Sequence, residues 1–303
     1  MPSVELYYKQ RHEVEVDKWD RCIAECNNGL IYSYSYYLDA TADNWDALVL
    51  NDYLAVMPLP WRKKFGVYYL YQPSFAAQLG VFGNEITPEL FESFLKAIPS
   101  KFKLWELSFN HQNRFELKNF PLSERNNYVL SLEQSYETLR KNYRENTRRN
   151  IKKSIDFGCY ARPDVPIDQI IELSKQQPNA PSGNEIDKFK PLFVFLNDRS
   201  DAKSYGVFSK KEELLASCVF TFSHNRAYYI LVGNHPNGRT LGASHALIDT
   251  FIRDHAEQNL LLDFEGSDIR NLAFFYSSFG ASEERYSSIQ LNRLPWYIKW
   301  MKD

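Results

Sequence analysis

Cysteine is scarce: four in 303 residues, at positions 22, 26, 159 and 218, with only Cys22 and Cys26 close together. This excludes a disulfide framework. The lack of a second pair, or of histidines at ligand spacing, also argues against a structural zinc site. The expectation is reduced, buried thiols, with Cys22 and Cys26 on one helical face. Also missing are a basic and apolar N-terminal leader and any apolar run near the ~20 residues that span a bilayer, so the expected location is the cytoplasm, with no membrane span. Neither sign of charge dominates: 36 Lys and Arg stand against 38 Asp and Glu. That balance excludes a surface built throughout for nucleic acid. No P-loop and no Ser-His-Asp order is present, which removes nucleotide hydrolases and serine hydrolases.

Aromatic residues are plentiful. The 20 Tyr and 21 Phe suit the pleated, half-buried surfaces of a strand-rich protein. The length predicts two domains, and the pattern changes after Leu132, which gives 1–132 and 133–303. In the first part, "VELYYKQ" reads as a strand and "DKWDRCIAECN" as a helix capped by Asp17. "WDALVLNDYLAVMPLPWRKKFGVYYLYQP" reads as a three-stranded meander in which Pro58 and Pro60 mark a strand end or edge. "TPELFESFLKAIPS" is a helix with Thr87 as N-cap and Pro88 at its first position, and "KLWELSFN" and "NNYVLSL" are strands.

In the second part, "SYETLRKNYRENTRRNIKKSIDFG" reads as one helix closed by Gly158. Arg140, Arg144, Arg148 and Lys152 recur every four residues and form one basic stripe, which Arg149 and Lys153 widen. Such a stripe is either a solvated face or a seat for an anion, and Glu145 is the only acid in its dense part. "PIDQIIELSKQ" and residues 188–197 are helices. "KSYGVFSKKEELLASCVFTFSHNRAYYILVGNH" is a second antiparallel meander, followed by a helix to about Gln258. "LLLDFEG" is a strand, "NLAFFYSSFG" a short helix and "SEERYSSIQLN" a last strand. The two halves share an order of elements without a visible sequence repeat.

Between meander and helix lies "NGRTLGASHALID". A turn over Arg239, Thr240, Leu241, Gly242, Ala243 and Ser244 would present free amides at a helix start, where unpaired donors and the dipole attract anions. Gly242 would permit close approach and Arg239 a charge-assisted bond. A plain strand-to-helix connection is the alternative. His245 follows, either a phosphate donor or base, or a packed histidine.

This turn resembles the acyl-CoA-binding Q/R-x-x-G-x-G/A turn of the GNAT acyltransferase superfamily, with Ser244 in the last position. The chain is also similar to the FemAB-like acyltransferases and related acetyltransferase domains. Arg148, Arg149, Ile151 and Lys153 match a basic R-x-x-I-x-K helix. Asp263, Phe264, Gly266 and Ser267 match a DF-x-G-S strand end. Phe279, Gly280 and Ala281 match an FGA close, with Tyr276 near a position where lysine is common. "YLYQPSFAAQLGVF" resembles a Pro…Gln-x-Gly stretch of the same group.

The resemblance implies an α+β (α/β) fold of two tandem GNAT-like domains, each a mixed, mainly antiparallel sheet flanked by helices. It implies transfer of an acyl or aminoacyl group to an amine on a small molecule or peptide. Acyl-CoA is the expected co-substrate, ahead of an acyl carrier protein or aminoacyl-tRNA. Asp263 and Glu265, expected on one strand face, are candidate bases, or else structural partners of Arg149 or Arg270. Tyr276 is a candidate proton donor to the leaving thiolate. Tyr71, Gln72, Gln78, Arg149 and Ser267 are candidate substrate contacts. The competing readings are a GNAT-fold binding or interaction protein without turnover, and an RNA-binding protein using residues 140–153.

Overall fold

A computed structural model describes residues 5–178, 180–266 and 268–295. The first half holds β1 (Leu6–Gln10), α1 (Val16–Glu25), α2 (Ser35–Thr41), β2 (Trp45–Leu50), β3 (Ala55–Lys64), β4 (Val67–Leu70), β5 (Phe82–Gly83), α3 (Pro88–Ala97) and β6 (Phe102–Ser108). Then come β7 (Leu122–Ser131), α4 (Tyr136–Lys141), α5 (Glu145–Asp156), β8 (Tyr160–Pro163), α6 (Ile167–Ser174), α7 (Gly183–Asp198), β9 (Ala202–Phe208) and β10 (Leu214–Ser223). The chain closes with β11 (Arg226–Asn234), α8 (Pro236–Leu241), α9 (Ala243–His255), β12 (Leu261–Asp263), α10 (Arg270–Ser277) and β13 (Ser282–Asn292).

Two compact units result: Met1–Arg125 with Arg285–Asp303, and Asn126–Glu284. In the first, β1 to β4 pair antiparallel in sequence order, β4 pairs parallel with β6, and β6 pairs antiparallel with β13. In the second, β8 to β11 pair antiparallel in order, β11 pairs parallel with β12, and β12 pairs antiparallel with β7. One ladder pattern thus occurs twice, and the closing strand of each unit comes from the other half of the sequence. A single cut after residue 132 therefore misassigns β13. From Arg285 onward that strand belongs to the first unit, where Ser288–Asn292 pair with Leu104–Ser108.

In the first unit β2 is buried along its whole length, so both its faces are covered. Leu48 joins Phe91, Phe94 and Leu95 of α3 on one face, while Trp45 meets Trp19 of α1 at 5.1 Å on the other. Pro58 and Pro60 lie inside β3 and not at its end. The Trp61 amide donates to Asn44 toward β2, so alternation turns the proline nitrogens to the opposite side. There β5 pairs only Ala55 and Val56, and β4 only Trp61–Lys64, so no ladder bond is lost.

In the second unit α9 packs Leu247, Ile248 and Phe251 on one sheet face with Val207 and Phe220, and Phe220 stacks on Phe251 at 3.7 Å. The segment expected as one basic helix is two, α4 and α5. The break is made by Tyr143, buried with its ring 5.3 Å from Phe279, and by the Arg144 amide, which donates to the Ser278 carbonyl at 2.9 Å. Contacts to the end of α10 thus outweigh a continuous helix, and residues 140–152 form no single helical stripe. Gly158, at φ +70°, does close α5. Smaller differences occur at helix ends. Glu15 holds the α1 cap position, so Asp17 lies in the first turn; a Ser182–Glu185 capping box starts α7 before Lys188; and α9 stops at His255.

Candidate functional site

The site of the second unit begins with a parting of two strands. Arg226–Tyr228 of β11 pair with Leu261–Asp263 of β12, and there the ladder ends. Beyond Asp263 the Phe264 amide turns to the Tyr128 carbonyl at 3.0 Å, and Glu265 and Gly266 take left-handed φ of +60° and +81°. On its other side β11 stays with β10 through a bulge: Ser217 faces Gly233, Val219 faces Ile230, and Leu231 sits at φ +47°. From Tyr229 onward β11 has no strand partner on the β12 side among the described residues. Such an edge offers backbone donors and acceptors to an extended, amide-bearing ligand.

Three candidate catalytic residues stand at the fork, in two separate settings. Asp263 is buried, and Arg226 donates to its Oδ2 at 2.6 Å while the Glu265 amide donates to its Oδ1 at 2.7 Å. Arg226 also makes a two-pronged contact to Glu284, at 2.9 Å for each prong. Burial works against the guanidinium charge, but Asp263 and Glu284 outweigh it and hold the Arg226 pKa above the usual arginine range. Asp263 is therefore neither the partner of Arg149 or Arg270 nor half of a carboxylate pair with Glu265. Strand alternation stops at Asp263, and the left-handed Glu265 turns out of register. Tyr276 stacks on Phe264 at 4.7 Å, and burial, reinforced by the Glu265 charge, pushes its phenol above the normal tyrosine range.

The predicted turn is a short helix and a hinge. Arg239, Thr240 and Leu241 lie in α8, capped by His235, whose Nδ1 accepts from the Asn237 amide at 3.2 Å. Arg239 and Thr240 are exposed. Gly242, at φ +75°, joins α8 to α9, which starts at Ala243. Ser244 donates its hydroxyl proton to the Asn234 side chain. A β-carbon at Gly242 would collide with the Asn150 carbonyl oxygen of α5. The close approach that this glycine permits is that of helix α5, a role the sequence did not reveal. His245 packs edge-on against Phe275 at 4.8 Å, and burial lowers its pKa to about 4, so it is a packed histidine.

Tyr71 and Gln72 line a cavity of about 450 Å³ in the first unit, with Arg62, Tyr69, Leu104 and Glu106. The Arg62 guanidinium lies 4.0 Å above the Tyr71 ring, and the Tyr71 hydroxyl accepts from the Asp43 amide at 2.8 Å. Gln72 is held at both ends, donating to Ala76 O at 2.6 Å and accepting from the Ser108 amide at 2.9 Å. Gln78 is buried and does not line this cavity. Arg149 is exposed on α5, and Ser267 lies outside the described residues. Arg62, Glu106, Arg226 and Glu284 were not singled out from sequence. The one signal was Arg226, a charge opening an otherwise apolar strand.

All four cysteines are free, and burial raises the thiol pKa of Cys22 to about 12 and of Cys26 to about 11. Among the described residues no group of three His, Cys, Asp or Glu could hold a metal ion, and no helix is long and apolar enough to cross a membrane.

No protein-family model and no curated protein matches the sequence. Solved structures do. FemX superposes with a TM-score of 0.64 at 12% identity, over 94% of this chain and 97% of that one. A tandem GNAT protein from the clavulanic acid biosynthesis pathway, without AcCoA, gives 0.58 at 11% identity, over 97% and 99%. L-PGS from Bacillus licheniformis gives 0.56 at 11%, over 94% of each chain. The fold is the tandem GNAT fold. Its two GNAT-like repeats account for the doubled ladder pattern, each a mixed, mainly antiparallel sheet with flanking helices.

Proposed function

We propose that the protein is an acyltransferase that moves an acyl group from a thioester, acyl-CoA first among the candidates, to an amine. The observation that carries this reading is the fork between β11 and β12, with Glu265 and Tyr276 beside it. The free edge of β11 suits the extended, amide-containing arm of such a donor. Arg239, exposed on α8, is the cation offered to its phosphates. Because α5 closes on Gly242, we assign the phosphate contact to Arg239 and the first turn of α9 rather than to the glycine itself.

When bound, the donor supplies an acyl carbonyl and a thiolate leaving group. Glu265 accepts the proton of the attacking amine, and Tyr276 donates one to the departing sulfur. The proton gained by Glu265 balances the one given up by Tyr276, and exchange through solvent returns both to their starting states. Asp263, locked to Arg226, fixes the Glu265 amide and is a positioning residue. In the first unit, the cavity of Arg62, Tyr69, Tyr71 and Glu106 suits a small ligand with an apolar body and polar or charged ends. The test is release of free thiol from acetyl-CoA across a panel of amines. Tyr276→Phe is expected to slow release about 10²–10⁴-fold, with a smaller loss for thioesters of more acidic thiols. Amine-dependent release that is unchanged in Tyr276→Phe for every thioester would remove Tyr276 from the chemistry.

A further inference from the structure

Residues 140–157 carry seven Arg and Lys, at positions 140, 141, 144, 148, 149, 152 and 153, against Glu145 and Asp156. Several other surface cations sit on acids: Arg11 on Asp39, Lys18 on Glu15 and Asp52, Arg285 on Glu124. Among the described residues none of these seven forms an ion pair. Arg148 donates instead to the Lys141 carbonyl at 2.7 Å, and Arg144 lies 4.7 Å over the Phe274 ring. Within a chain of net charge -2 this is a concentrated positive face, with Arg140 also acting on the carboxylate of Asp249. Between α4 and α5 it contains a cavity of about 310 Å³ lined by Tyr136, Glu137, Arg140, Lys141 and Arg148, large enough for a phosphate group.

Exposed large apolar side chains border these cations: Ile155 is 63% exposed and Phe274 50%. On α5 the buried positions are Thr147, Ile151 and Ser154. At 100° per residue Ile155 falls beside Arg148 and near Lys152, at the edge of the exposed arc that borders buried Ile151. Phe274 lies under Arg144 at the start of the same helix.

We propose that this face docks onto an anionic lipid surface, the cations engaging headgroup phosphates while Ile155 and Phe274 enter the acyl boundary. RNA would satisfy the charges equally well, and aromatic rings could stack on its bases. An exposed aliphatic chain such as Ile155 gains nothing from a base, however, whereas hydrocarbon rewards it directly. The proposal is independent of the acyl-transfer reading.

The experiment is vesicle flotation of the full chain, comparing phosphatidylcholine with phosphatidylcholine containing phosphatidylglycerol. Binding is expected on the anionic vesicles alone. It should fall roughly fivefold for each cation lost in Arg148→Gln and Lys152→Gln, and fall with added salt. Ile155→Ser with Phe274→Ser should also weaken it, with the far-UV circular dichroism and unfolding midpoint of the wild type retained. Equal binding to neutral vesicles, no binding to either kind, or anionic binding indifferent to the Ile155 and Phe274 changes would each overturn the proposal. Salt-dependent binding of single-stranded RNA without vesicle binding would assign the face to RNA instead.

Discussion

The guanidinium of Arg226, at the first residue of β11, lies 2.6 Å from the carboxylate of Asp263, at the last residue of β12, with both side chains buried. This pair ties the first residue of β11 to the last of β12, beyond which the strands separate, and Glu284 accepts from both terminal nitrogens of the guanidinium. Arg226→Met strands a buried carboxylate. It should lower unfolding free energy by about 3–5 kcal/mol, read from urea denaturation. A midpoint equal to that of the wild type would show that the pair contributes nothing there.

Gly242 joins α8 to α9 in a left-handed conformation, with the Asn150 carbonyl against it. Gly242→Ala meets both obstacles, the backbone conformation alone costing about 1–3 kcal/mol. Thermal unfolding should show a clear fall in Tm. An unchanged Tm would mean that α5 can withdraw without loss.

His245 titrates near 4 because burial disfavours its charged form, against an ordinary value near 6.5. With the folded-state pKa depressed, the unfolded chain binds the proton first as pH falls. Stability is therefore full above about pH 6.5 and declines toward pH 4, by about 3 kcal/mol in all. His255, also lowered by burial, adds to the same slope. In His245→Phe the pH dependence of the urea midpoint across this window should shrink. A slope identical to that of the wild type would contradict the buried setting of His245.

Much of the fold was legible because it is local. The two meanders follow from apolar runs broken by turn residues, and the α3 boundaries from Thr87 and Pro88, whose capping bond forms as expected, from the Leu90 amide to the Thr87 hydroxyl at 3.2 Å. What escaped depends on contacts distant in sequence. The break between α4 and α5 is imposed by Ser278 and Phe279, more than a hundred residues away in the chain, while the local pattern favours one helix. The exchange of closing strands is invisible in a strand's own alternation, which says that β13 is a strand but not which sheet receives it. At the candidate site, Asp263 and Tyr276 were visible as residues. Their environments were not, because Arg226 and Phe264 reach them only through the fold.

The most direct test of the account is calorimetric titration of the purified protein with acetyl-CoA and with CoA, using Arg239→Ala as the comparison. The account predicts saturable binding of both ligands, weakened in the variant by loss of a charge-assisted phosphate contact, about tenfold or more. Absence of binding heat for either ligand would contradict an acyl-CoA donor, and binding of equal strength in Arg239→Ala would contradict the phosphate contact on α8.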